Sequence, residues 1–169
     1  YFKTSKTATV VAVFCNRKHA GVLERAERLG IRSVVFQKAD LVESDQVLKQ
    51  LKKMNPDLIV LAGFLLKVPE QMVDAFEHKI INIHPALLPK YGGKGMYGKK
   101  VHEAVIEAGE KESGITIHLV NEEYDEGKIL FQESVPVKQT DTPESLAMRV
   151  QKLEHEHFPK IIQKLVRSL

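Results

Sequence analysis

The sequence is poor in residues that define several classes of protein. Among its 169 residues there is one cysteine and no tryptophan. The single cysteine, Cys15, cannot form a disulfide within the chain, which argues against a disulfide-stapled extracellular domain and predicts a reducing, cytoplasmic location. Because Cys15 lies in the apolar stretch "VVAVFCN", we expect its side chain to be buried. No Cys/His cluster has the spacing of a metal site, so no metal is expected.

Long apolar runs and strong charge of either sign are also missing. No run is long enough to span a bilayer, and no segment has the pattern of a signal peptide. The formal net charge is only +3, with a pI near 8.9. Nucleic-acid-binding domains usually carry a concentrated basic patch, whereas a mild positive charge suits an anionic small molecule. We therefore predict small-molecule ligands, with no nucleic-acid partner and no membrane association.

The first half of the chain alternates between short apolar stretches and helical spacing. The stretches "ATVVAVF" (8–14), "IRSVVFQ", "DLIVLAGF" and "KIINIH" predict buried strands. Helices are predicted between them: one ends at Gly30, one runs from Ser44 to Met54 and stops at Asn55-Pro56, and Pro69 opens a third. This alternation predicts a single α/β domain over 1–169, with a mostly parallel sheet covered by helices on both faces.

The second half begins with a glycine- and lysine-rich loop, "KYGGKGMYGKK". A helix over "VHEAVIEAGE" follows, and we expect its His102 to lie on the surface at the helix start. Strands over "GITIHLV" and "KILFQESVPV" come next. Thr142 then caps a long helix with Pro143 in its first turn. That helix has an apolar stripe of Leu146, Val150, Leu153, Phe158, Ile161 and Leu165.

The stretch "INIHP" places two polar side chains inside an apolar strand. Asn82 and His84 are two residues apart, so in an extended backbone they project from one face while Ile81 and Ile83 face the core. Pro85 then restricts the backbone. An amide donor can stabilise a developing oxyanion, and an imidazole can move a proton. On this spacing alone, a strand-end cap and a semi-buried structural histidine remain equally good interpretations.

The longer stretch "INIHPALLPKY" resembles the signature of the folate-dependent formyltransferases. Three other stretches, "NPDLIVLAGFLLKVP", "GITIHLVNEEYDEGKILFQESVPV" and "TPESLAMRVQKLEHEHFPKII", resemble matching segments of the members that formylate glycinamide ribonucleotide in de novo purine biosynthesis. The resemblance implies a Rossmann-like formyltransferase fold and transfer of a formyl group from 10-formyltetrahydrofolate to an amine. It implies two small-molecule substrates, a folate and a phosphorylated ribonucleotide amine, no metal, and a monomer or weak homodimer.

The resemblance also implies a catalytic trio of Asn82, His84 and Asp125. Asp125 lies in the acidic loop "EEYDEG", in which we expect Gly127 to let the backbone turn sharply. Asn82 and protonated His84 would hold the tetrahedral oxyanion, and Asp125 would support His84 and assist proton transfer. Taken alone, an acid in such a loop is usually a solvated surface charge.

Further ligand-binding residues are implied less directly. His118 and Glu154 would contact the substrate, and Leu65, Leu66 and Lys67 would line the pterin pocket with backbone groups, next to Asn82. The residues alone allow other interpretations: a structural histidine in a strand for His118, and an ordinary strand end for 65–67. An acid on the apolar side of a helix, as at Glu154, is unusual without a partner.

Related formyl-handling enzymes are the main alternatives. Methionyl-tRNA formyltransferases carry an added tRNA-binding domain and formyltetrahydrofolate hydrolases a regulatory domain, and nothing here resembles either. A sugar-nucleotide formyltransferase and a non-catalytic folate- or nucleotide-binding relative stay open. The family normally opens with a strand and a phosphate-binding loop, and the chain starts at Tyr1 without them. We therefore expect a longer natural protein, with room for one strand between residues 8–14 and 57–63.

Overall fold

A computed structural model describes all residues from 1 to 169 and has a mixed α/β architecture. The chain divides into two compact units. The first comprises residues 1–57 together with 165–169, and the second comprises residues 58–164. No helix is both long enough and apolar enough to cross a lipid bilayer.

The first unit contains a two-stranded parallel sheet and three short helices. Strand β1 (Val13–Cys15) pairs with β2 (Ser33–Val35). The helices are α1 (Gly21–Arg28), α2 (Lys38–Val42) and α3 (Gln46–Met54), and a 3₁₀ turn spans Phe2–Thr4. Left-handed residues follow α1 and α3, at Gly30 (φ +66°) and Asn55 (φ +46°). These are the two helix ends that the sequence predicts, and both are confirmed.

Two details of this unit differ from the expectations. Residues 8–12 form no ladder, because β2 offers a partner only to residues 13–15. Cys15 is half-buried rather than buried, since it lies in a three-residue strand with no fully buried position. Its Sγ donates a hydrogen bond to the Arg17 carbonyl at 3.4 Å. The prediction of a buried thiol is therefore wrong.

The second unit is built on a four-stranded sheet in the order β3-β4-β5-β6. Its strands are β3 (Ile59–Leu61), β4 (Ile80–His84), β5 (Glu112–Leu119) and β6 (Ile129–Pro136). Strand β4 is parallel to β3 and antiparallel to β5, and β5 is antiparallel to β6. Helices α4 (Glu70–Ala75) and α5 (Lys99–Glu107) precede β4 and β5, and α6 (Pro143–Arg167) starts in this unit.

The core of this unit lies around β4 and β5. Ile81, Ile115 and Ile117 are fully buried, and α6 contributes Leu146 and Val150 to the buried set. Helix α6 begins after Thr142, whose Oγ1 accepts a hydrogen bond from the Ser145 N–H at 3.2 Å, which confirms the predicted cap. The carboxyl end of β4, where His84 lies, is therefore supported by a packed neighbouring strand.

The backbone after His84 is held by a polar network centred on the buried Thr116. Thr116 Oγ1 donates to the Ala86 carbonyl at 2.7 Å and accepts from the Leu88 N–H at 3.0 Å. Gln132 Nε2 donates to the Leu88 carbonyl at 3.0 Å and to Thr116 Oγ1 at 2.9 Å. Buried backbone groups need such partners. The path of the chain out of the strand is consequently fixed by β5 and β6 as well as by Pro85.

Candidate active site

Pairing of β4 with β5 brings three polar side chains together at one end of the sheet. Asn82 lies opposite His118 and His84 lies opposite Thr116 in the antiparallel register. Asn82 Nδ2 is 3.2 Å from His118 Nε2. Ile81 and Ile83, which alternate with the polar pair, are 0% and 9% exposed. The alternation therefore has the predicted effect: the isoleucines are buried and the polar pair is gathered at the strand end.

Asp125, in the loop after β5, completes the cluster. Its Oδ2 lies 3.4 Å from His84 Nδ1. Its Oδ1 lies 3.5 Å from both Asn82 Nδ2 and His118 Nε2. Asp125 has a left-handed backbone (φ +59°), which aspartate tolerates better than most residues. Asp125 thus contacts both of the other residues that the family resemblance singles out, Asn82 and His84.

Two backbone groups of the following loop hold this cluster from the other side. His84 Nε2 lies 2.7 Å from the Tyr91 carbonyl oxygen, and the Gly93 N–H donates to Asp125 Oδ2 at 2.9 Å. Tyr91 is left-handed (φ +58°), which is uncommon for a bulky side chain. Neither group was predicted from the sequence. The only sign of them in the sequence is the pair Gly92-Gly93 after Tyr91, which indicates a turn.

These contacts set the tautomers of the two histidines. His118 Nδ1 lies 2.8 Å from the Leu119 carbonyl, so that nitrogen carries a proton and Nε2 accepts from Asn82. His84 Nε2 donates to the Tyr91 carbonyl, and Nδ1 then faces the Asp125 carboxylate. In the neutral ring Nδ1 carries no proton and makes no hydrogen bond to this carboxylate, 3.4 Å away, and it becomes a donor to Asp125 only when the ring is protonated.

The surroundings of the site favour different charge states for His84 and Asp125. Burial lowers the pKa of His84, against the opposing effects of the Asp125 charge and the Tyr91 hydrogen bond. For Asp125, burial raises the pKa, but the neighbouring His118 and His84 side chains and the Gly93 N–H outweigh it, and the net pKa is lowered. The resting pair is therefore a neutral imidazole beside an ionised carboxylate.

Gly127 has a different role from the one expected. Its φ is not in the left-handed region, and the sharp backbone conformation lies at Asp125 instead. A Cβ at Gly127 would overlap the carbonyl of Leu119. Glycine is thus required here for a close approach between the loop and the end of β5, which places Asp125 over the strand.

The clustered groups face a cavity of about 820 Å³. Its wall includes Asn82, His84, Asp125, Leu65, His102 and Glu154. Leu66 and Lys67 do not contribute to the wall, and Lys67 Nζ instead lies 3.9 Å from Glu123 Oε2. His118 is also outside the wall, and it contacts Asn82 and Asp125 from behind.

Glu154 is a partly buried acid in the wall of this cavity. It lies on α6 and forms no ion pair. Burial raises the pKa of its carboxyl group, although the neighbouring His155 acts in the opposite direction. An acid kept without a partner beside the cavity is available to a cationic or amine-bearing ligand.

His102 is buried, contrary to the expectation of a surface position. It is 5% exposed because α5 turns it inward together with Val101 and Val105. Its Nδ1 has no hydrogen-bond partner, and burial, followed by the charge of His84, lowers its pKa. No group of three or more His, Cys, Asp or Glu side chains in residues 1–169 is arranged to hold a metal ion.

Comparisons with known proteins identify the family to which this chain belongs. The family model described as formyl transferase matches residues 2–162. The chain belongs to the formyl transferase family. The Rossmann-like formyltransferase fold is confirmed by solved members. A phosphoribosylglycinamide formyltransferase from Anaplasma phagocytophilum superposes with a TM-score of 0.88 at 36% identity, covering 98% of this chain and 78% of that one.

Two curated relatives extend this likeness to the sequence. The chloroplastic phosphoribosylglycinamide formyltransferase of Arabidopsis thaliana is 47% identical over 94% of this chain, which corresponds to 56% of that protein. The phosphoribosylglycinamide formyltransferase of Bacillus subtilis is 34% identical over 94% of this chain and 81% of its own length. This formyl transferase chain thus spans about half the length of the plant relative and about four fifths of the bacterial one.

Proposed function

We propose that the protein transfers the formyl group of 10-formyltetrahydrofolate to the amine of glycinamide ribonucleotide, a step of de novo purine biosynthesis. The observation that carries the proposal is the contact of Asn82, His84 and Asp125 at the wall of one cavity, in a chain of the formyl transferase family. The relatives named as phosphoribosylglycinamide formyltransferases support this choice of acceptor.

The reaction proceeds by direct attack. The substrate amine adds to the formyl carbon, and the carbonyl oxygen becomes an oxyanion. The weak 3.5 Å contact between Asn82 Nδ2 and Asp125 is the one that can be exchanged for a hydrogen bond to this oxyanion. The bond between the formyl carbon and the folate nitrogen then breaks, and that nitrogen receives the proton that the amine has lost.

His84 and Asp125 handle this proton. In the resting state Nδ1 of His84 is unprotonated, because Nε2 holds the proton that is donated to Tyr91. Nδ1 can therefore accept a proton from the attacking amine, and the imidazolium that results lies 3.4 Å from the Asp125 carboxylate and beside the oxyanion. The proton then passes to the departing nitrogen. A low resting pKa of His84 favours this base role over a permanently charged one.

The rest of the wall suits two ligands. Glu154 is assigned to the amine of the ribonucleotide, which it attracts before the attack. The backbone of the 65–67 segment is assigned to the pterin, with Leu65 as the member that reaches the cavity wall. His118 acts from behind by fixing the Asn82 amide. We propose a single domain, a monomer or weak homodimer, and a cytoplasmic location; two relatives are named as chloroplastic.

The test is a formyl-transfer assay on the natural full-length protein. The protein is mixed with 10-formyltetrahydrofolate and glycinamide ribonucleotide, and both the deformylated folate and the formylated amine are quantified. Stoichiometric formation of the two products is expected, and it should depend on Asn82. A sugar nucleotide with a free amine is the comparison acceptor.

Two outcomes would refute the proposal. Transfer to the amino sugar with none to glycinamide ribonucleotide would indicate a sugar-nucleotide formyltransferase. Binding of both ligands by calorimetry without any turnover would indicate a non-catalytic relative.

A further inference from the structure

Tyr91 touches His84 through its backbone and Glu110 through its side chain. Its carbonyl accepts from His84 Nε2 at 2.7 Å, and its hydroxyl donates to Glu110 Oε1 at 2.9 Å. The same Glu110 oxygen accepts from Lys90 Nζ at 2.8 Å. One carboxylate therefore binds two consecutive residues of the segment that leads from Pro89 to Gly93.

Glu110 is itself fixed to the core of the second unit. It follows α5, and its backbone N–H donates to the Val105 carbonyl at 3.3 Å. Val105 is 1% exposed. The lysine and the tyrosine hydroxyl lower the pKa of the Glu110 carboxyl, so that it stays an ionised acceptor. The chain of contacts therefore runs from the buried face of α5 to His84.

The left-handed backbone conformation of Tyr91 needs support from its surroundings. Tyr91 lines a cavity of about 270 Å³. Its left-handed φ of +58° is unfavourable for a tyrosine and persists only where the surroundings impose it. The hydroxyl bond to Glu110 is the directional contact that can do so.

We propose that Glu110 and the Tyr91 hydroxyl form a clamp that positions the Tyr91 carbonyl against His84 and thereby sets the orientation of the imidazole for formyl transfer. Both are positioning residues, since neither contacts the reacting atoms. The inference rests on the proposed function for its kinetic consequence. Its consequences for His84 itself, the orientation and the proton affinity of the imidazole, can be measured without turnover.

The test compares variants of the natural full-length protein. Tyr91→Phe removes only the hydroxyl. Glu110→Gln keeps an oxygen acceptor but removes its charge. Lys90→Met removes the second partner of Glu110, and Glu107→Gln removes a nearby exposed acid of α5 as the matched control. The other titratable groups that face His84, which are Asp125, His118 and His102, are unchanged in every variant.

Tyr91→Phe is expected to lower kcat about three- to tenfold, the effect of losing one net hydrogen bond, with both KM values within about twofold. The NMR titration of His84 should move to lower pH, because a poorly placed carbonyl supports the imidazolium less. Glu110→Gln should give a smaller change in the same direction. Lys90→Met and Glu107→Gln should resemble the parent protein.

An unchanged kcat and an unchanged His84 titration in Tyr91→Phe would overturn the clamp, as would an equal effect of Lys90→Met. If Tyr91→Phe does not fold, the Glu110→Gln titration decides: no change overturns the proposal. If the parent protein transfers no formyl group, the proposed function fails, and the His84 titration still decides on the clamp.

Discussion

Replacing Asp125 with asparagine tests the central pair of the site. The change keeps the shape of the side chain and removes its charge. Its amide oxygen can still accept from the Gly93 N–H, so the loop should keep its place. What is lost is the attraction between a carboxylate and an imidazolium whose side chains are 12% and 4% exposed.

The size of that attraction can be worked from the distance. Two unit charges 3.4 Å apart attract by about 5 kcal/mol at an effective dielectric constant of about 20. Burial already outweighs this attraction, because the net pKa of His84 is lowered. Asp125 is the largest of the effects that oppose burial, ahead of the Tyr91 hydrogen bond, so without it the imidazolium should form only at still lower pH. Loss of one acid–base partner commonly lowers turnover about 100-fold or more.

The assay combines kinetics with a titration. The pH profile of kcat is recorded for Asp125→Asn and for Glu126→Gln, a matched loss of charge at an exposed position in the same loop. The His84 ring is followed by NMR over the same pH range. We expect a large loss of kcat and a more acidic titration in Asp125→Asn only. An unchanged titration, or equal behaviour of the two variants, would refute the pairing of His84 with Asp125.

Three further changes test other parts of the site. Asn82→Ala removes the proposed oxyanion donor and should lower kcat about 100- to 1000-fold while KM changes little; a loss of only a few-fold would exclude that role. Gly127→Ala should destabilise the fold by about 2 kcal/mol or more in chemical denaturation, because its Cβ overlaps the Leu119 carbonyl, whereas Gly21→Ala at the start of α1 should be neutral or slightly stabilising. Equal stabilities of these two variants would contradict the close approach. Because burial raises the pKa of Glu154, the unfolded chain releases this proton at lower pH than the folded chain. The contribution of this one group to stability is therefore lost as pH rises from about 4.5 through its raised folded pKa. Glu154→Gln should therefore gain stability relative to the parent with increasing pH while formyl transfer falls, and a pH-independent difference would count against the buried charge.

The sequence predicted the positions of the strands better than their lengths. Every apolar stretch expected to be a strand overlaps one, but residues 8–12 form no ladder and β3 has only three residues. Strand assignment depends on a hydrogen-bonded neighbour, which a single stretch does not encode. The helix ends were predicted more accurately, because Gly30, Asn55 and Thr142 end or cap a helix through their own backbone conformation or a hydrogen bond to the adjacent turn.

The part of the site that consists of polar side chains in a recognisable spacing could be predicted from the sequence. Spacing within "INIHP" placed Asn82 and His84 on one face, and the family resemblance added Asp125. His102 was misplaced because its environment depends on which face of α5 meets the sheet, and that is a tertiary property. The separation expected between residues 8–14 and 57–63 stays a prediction.

The loop contacts at Tyr91 and Gly93 also bear on how such a site can change over time. A main-chain carbonyl and a main-chain N–H survive every amino-acid replacement except those that bend the chain or introduce proline. In the 90–93 segment the side chains matter through the backbone path: the Tyr91 hydroxyl binds Glu110, Gly92 leaves room beside Leu88 and Asp125, and Gly93 has a left-handed φ. A one-residue insertion or deletion there would move both main-chain groups away from His84 and Asp125 even if every residue type were kept. A search for such sites should therefore score the length of this segment as well as the residue types in it.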